Sequence, residues 1–92
     1  MIAKVIQSID NLVDDIYTPD KVNINQYYLE LIEAIGAFLE EMVQRGYTVD
    51  LRDDLEQVQK AVTVKDYIRL SDILLYTIRK DFVNLQKDLK DM

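Results

Sequence analysis

Apolar residues recur every three to four positions along almost the whole chain and nowhere alternate with period two for long, the mark of amphipathic helices. Over residues 2–16, Ile2, Val5, Ile6, Ile9, Leu12, Val13 and Ile16 form one stripe, with Lys4, Asp10 and Asp14 away from it. "YTPD" at 17–20 stops this helix, because Pro19 disfavours the helical conformation of Thr18 and has no amide to donate. Asn23 and Gln26 then sit in capping-box register, with Val22 and Tyr27 placed as a hydrophobic staple.

A second helix is predicted over about 24–45. Its main stripe is Tyr28, Leu31, Ile32, Ile35, Leu39, Met42 and Val43, and Glu30, Glu33, Glu40 and Gln44 mark the wet side. Tyr27, Leu29, Ala34 and Phe38 add apolar surface beyond that stripe. Gly46 supplies the left-handed residue that ends the helix, and Tyr47 is placed to fold back on Met42. A shorter third helix is predicted over 50–62, with a seam of Leu51, Leu55, Val58 and Val62. Asp50, Asp53 and Asp54 complement the positive end of its dipole.

The fourth helix is predicted over 64–89, with Thr63 as cap, Asp66 in capping-box register, and Val62 and Tyr67 as staple. Its core seam reads Tyr67, Ser71, Leu74, Ile78, Phe82, Leu85 and Leu89, widened by Leu70, Ile73, Leu75 and Tyr76. At 1.5 Å per residue it spans roughly 40 Å, against roughly 33 Å for the second helix. Short connections make sequential helices antiparallel. The expectation is therefore a single all-α domain over 1–92, an antiparallel up-down-up-down four-helix bundle.

Composition removes most chemistries. The chain has no cysteine and no histidine, which excludes disulfides, thiolate zinc sites and Glu-x-x-His di-iron bundles. No stretch has the alternating oxygen ligands and glycine of a calcium loop, and none the glycine-rich phosphate loop. The only serines are Ser8, beside the first stripe, and Ser71, in the fourth seam, neither with an imidazole base. The expectation is a protein that is not an enzyme and takes no cofactor or metal.

Net charge is −6, spread unevenly. Residues 1–64 carry five basic against twelve acidic groups (−7), and residues 65–92 six against five (+1). Nucleic acid needs a basic stripe and is an unlikely ligand. Anionic membrane surfaces are disfavoured too, and no segment reads as a membrane span or a signal peptide. A cytoplasmic protein is expected.

Three features bear on function. Arg69, Asp72, Tyr76 and Arg79 lie three, four or seven residues apart and can form a polar ladder on one edge of the fourth helix, either self-satisfying or recognising a partner. Gly36, with Ala34 and Ala37 beside it, can let another helix approach closely, most simply a bundle neighbour. The apolar surface of the second and fourth helices exceeds what one seam needs, and points to a protein partner or a homodimer. The residues expected to meet that partner are Tyr67, Asp72, Tyr76, Phe82, Leu85 and Leu89. The alternative is a small ligand-binding or enzymatic bundle with a polar pocket near Asp72 and Tyr76.

The run "DYIRLSDILLYTI", residues 66–78, resembles one in a family of small uncharacterised helical proteins of Gram-positive bacteria. The wider pattern, an acidic helical bundle ending in a long helix, is similar in architecture to flagellin export chaperones. Both resemblances imply a binding role.

Overall fold

The computed structural model describes residues 2–19 and 23–90. They form an all-α four-helix bundle, with no strand among the described residues. Its elements are α1 (Ile2–Ile16), α2 (Ile24–Gln44), α3 (Arg52–Thr63), and a last rod built of α4 (Tyr67–Ile73), a π-helical segment (Leu74–Ile78) and α5 (Arg79–Lys90). The molecule measures 42 × 20 × 20 Å.

α1 forms as its stripe predicts. Val5, Ile9, Leu12, Val13 and Ile16 are buried in the core, and Ile2 and Ile6 pack on its edge. It packs against both α2 and the last rod, while α3 packs against α4 and the π segment. No Cα of α2 comes within 8 Å of a Cα of α3, so these two helices meet, where they meet, through side chains alone.

The entry to α2 differs from the expected capping box. Asn23 makes no side-chain cap bond, and the Gln26 amide points on to Glu30 (3.5 Å). Asp15, buried near the end of α1, does the joining by accepting the Asn23 amide N–H at 3.2 Å. Val22, the other half of the staple, lies outside the described residues. The helix's exit is as expected: Gly46 takes φ +82°, its N–H donates to Val43, and the Tyr47 N–H donates to Met42 at 2.9 Å, a Schellman motif.

The same motif ends α3 without glycine. Lys65 adopts φ +60°, its N–H donates to Val62, and the Asp66 N–H donates to Ala61 at 2.9 Å. Thr63 therefore closes α3, its hydroxyl donating to the Gln59 carbonyl at 2.8 Å, and does not cap the next helix. Asp66 is that cap, accepting the Arg69 N–H at 3.2 Å.

The π segment has a readable cause. Leu70, Leu74, Ile78 and Phe82 follow one another at intervals of four, and all are almost wholly buried. In a helix of 3.6 residues per turn, three such steps rotate the stripe by about 120°. The wider i→i+5 turn takes up part of that drift, so one stripe stays on the core.

Candidate functional site

The residues expected to meet a partner divide sharply. Phe82 is core: it is fully buried with its ring against Phe38, so, contrary to expectation, it is not available to a partner. The reason is the π turn, which keeps Phe82 on the inward stripe. Tyr67 and Leu85 are half-buried against the core, and the side chain of Leu89 lies outside the described residues. Asp72 and Tyr76 are exposed, Tyr76 at 74%.

The polar ladder does not assemble, because its cations bind other helices. Arg69 donates to the Gln57 side chain of α3 at 2.8 Å. Arg79 reaches α1, where its Nε donates to Asp10 Oδ1 at 2.9 Å and a second guanidinium nitrogen to Oδ2 at 3.4 Å. That hydrogen bond raises the Arg79 pKa above its ordinary value. The Tyr76 ring is not buried, contrary to a self-satisfied ladder at the bundle boundary. An open hollow beside it is lined by Leu75, Arg79, Lys80, Val83 and Asn84, and Asp72 takes no part in it. Ser71 lies buried, paired hydroxyl to hydroxyl with Tyr17 at 2.9 Å, a tie between the ends of α1 and α4.

The larger exposed feature lies on α2. Leu31, Ala34, Ile35, Phe38 and Met42 form its core face. Around the barrel from them run Leu29, Ile32, Gly36, Leu39 and Val43, at intervals of three, four, three and four. Leu29 is 60% and Val43 73% exposed, Gly36 is exposed, and Ile32 and Leu39 are half-buried. A Cβ built on Gly36 meets nothing within 4 Å, so no bundle neighbour approaches it. The groove with α1 lies on the opposite side, lined by Lys4, Ser8, Glu30, Glu33, Ala34 and Ala37. The seam thus lies on the flank of α2 turned away from α1. Next to it a depression of about 400 Å³, lined by Leu39, Val49, Leu51 and Leu55 among others, connects the seam to α3.

Residue spacing does carry this second seam. It escapes a reading from sequence because Ile32, Leu39 and Val43 fit a core stripe equally well, while Phe38 and Ala34 look like surplus.

At the start of α3, Asp50 accepts the Arg52 N–H at 3.1 Å, and Asp53 and Asp54 fill the first turn. Burial, followed by the nearby charges of Asp81, Asp53 and Asp50, pushes the Asp54 pKa up. Among the described residues no three carboxylates are arranged to hold a metal ion. Nor is any helix there long and apolar enough to cross a membrane.

Compared with protein-family models, curated proteins and solved structures, the chain matches none of them.

Proposed function

We propose that this protein is a non-enzymatic interaction module, an adaptor or chaperone-like bundle that docks a protein partner through the outer seam of α2. The carrying observation is the exposure of Leu29 and Val43 on a regular three-four spaced seam, on the flank of α2 turned away from α1. An apolar row of this kind is normally covered, and helix-in-groove recognition is the mode that covers it. On the last rod Ile68, Tyr76 and Val83 are also exposed, though set among Asp72, Arg79 and Lys80, and offer a smaller second contact area. The alternative, a ligand pocket near Asp72 and Tyr76, finds less support, since both side chains are exposed. Up-down-up-down helix order and a cytoplasmic setting belong to the proposal, the first suited by the short connections and the second by the absence of cysteine.

Photo-crosslinking tests it. A photoreactive residue at position 36 is expected to give adducts with another protein in the cell, and Leu29→Glu with Val43→Glu to abolish them. A chain that crosslinks to no protein from position 36 or from position 76 contradicts docking.

A further inference from the structure

We infer that the occupant of the α2 seam is a cationic amphipathic helix of about four turns, carried by another protein. This deepens the docking reading above and rests on it. Intervals of three and four are the spacing of a helix–helix seam, in which side chains of one helix seat between those of the other. From Leu29 to Val43 the seam is roughly 21 Å long, which sets the occupant at about four turns. Gly36 stands at its midpoint with open space where a side chain would be. A glycine inside a helix costs about 1 kcal/mol relative to alanine, and no neighbour among the described residues requires one there. It leaves a flat spot on which a large partner side chain can rest. The depression formed by Leu39, Val49, Leu51 and Leu55 offers a second seat at the seam's end.

Charge selects among occupants. α2 contains Glu30, Glu33, Glu40 and Glu41 and no lysine or arginine. Glu41 is paired with Arg45, and Glu30 accepts from Gln26. Glu40, four residues after Gly36, is exposed and has no partner among the described residues, and Glu33, four after Leu29, is exposed between the seam and the α1 groove that it also lines. Flanking charges set partner choice in paired helices, so lysine or arginine beside the apolar stripe of the occupant complements this rim. A second copy docking the same seam antiparallel about Gly36 would bring Glu33 of one copy beside Glu40 of the other, which like-charge repulsion opposes.

The test uses two synthetic helices of about 18 residues, both with leucine at seam positions, one flanked by lysines and the other by glutamates. Binding is read by calorimetry and by amide shifts of the labelled full chain. The lysine peptide is expected to bind one to one, with shifts centred on residues 29–43, and the glutamate peptide at least about tenfold more weakly. Val43→Glu, and separately Glu33→Lys with Glu40→Lys, are expected to weaken the lysine peptide by about tenfold or more. All these positions are exposed, and circular dichroism checks that each variant folds.

Shifts spread over Asp50–Asp54 and insensitive to Val43→Glu would mean charge attraction alone and overturn the inference. Self-association of the chain, abolished by Val43→Glu, would overturn it too while leaving the docking reading standing. If neither peptide nor a second copy reaches the seam, inference and docking reading fall together.

Discussion

The Phe82 ring meets Phe38 edge to face, centroids 4.9 Å apart and planes at 68°, although α2 and α5 bring no two Cα atoms within 8 Å of each other. Two large side chains thus bridge a gap that backbones leave, and both are wholly buried. Phe82→Ala should therefore cost about 3–5 kcal/mol, the upper range for an aromatic core truncation. A chain of this size has only about 5–10 kcal/mol in total, so the variant should lose about half its stability and its urea midpoint should fall in proportion. Phe38→Ala should be nearly as damaging, and the double variant less than additive, since each single change already removes the ring pair.

The tie between Arg79 and Asp10 should matter far less. Its side chains are 38% and 46% exposed, and an exposed pair contributes about 0.2–1 kcal/mol. Arg79→Gln should lower the urea midpoint only slightly, and the difference from wild type should shrink further at about 1 M salt, where the screening length is about 3 Å. A loss comparable to that of Phe82→Ala would show that Arg79 is holding the last rod against α1 by itself.

The contrast between those two residues indicates what the sequence discloses. α1 is legible because its apolar residues occupy one stripe and leave only one way to bury it. α2 is apolar over more than half its circumference, so spacing alone does not choose between a core through Phe38 and one through Val43. Only the position of α1 decides. The exit of α2 is legible in Gly46, whereas the exit of α3 hides behind Lys65, a residue type that seldom takes positive φ. That concealment also shifts the start of the last rod: with Thr63 bonded back to Gln59, the capping role passes to Asp66. The π turn leaves a trace in the four-four-four spacing of Leu70, Leu74, Ile78 and Phe82, yet a heptad reading absorbs those same residues. Arg69 and Arg79 find partners on α3 and α1, a matter of tertiary placement that intrahelical spacing does not contain.

The two helix ends give a matched pair of outcomes. Gly46→Ala places a Cβ at φ +82° and should destabilise by about 1–2 kcal/mol. Lys65→Gly removes the same strain at φ +60°, against an entropic cost of about 0.5–1 kcal/mol. The net should be a small gain, about 0.5–1 kcal/mol, visible as a rise of a few degrees in Tm. Opposite shifts in thermal scans are the expected result. A Tm lowered by Lys65→Gly would mean that the lysine side chain contributes more than its backbone costs.

Asp54 should make stability depend on pH in the unusual direction for a carboxylate. Burial and then the charges of Asp81, Asp53 and Asp50 hold its folded pKa above the ordinary 3.8. The folded state therefore takes up this proton more readily than the unfolded chain, and ionised Asp54 opposes folding at neutral pH. As pH falls through the raised folded pKa toward 3.8, that opposition is relieved. Asp54→Asn, uncharged throughout, should be more stable than wild type at pH 7, and its advantage should fade over that acidic interval. Asp53 provides the comparison: in the same turn but exposed, it should mainly gain from the helix dipole, about 0.3–1 kcal/mol. Asp53→Asn should thus weaken the fold at neutral pH where Asp54→Asn strengthens it. Urea melts of the two variants at pH 7 and at pH 4 compare these signs directly. Equal destabilisation by both substitutions at pH 7 would show that the dipole outweighs burial at Asp54 as well.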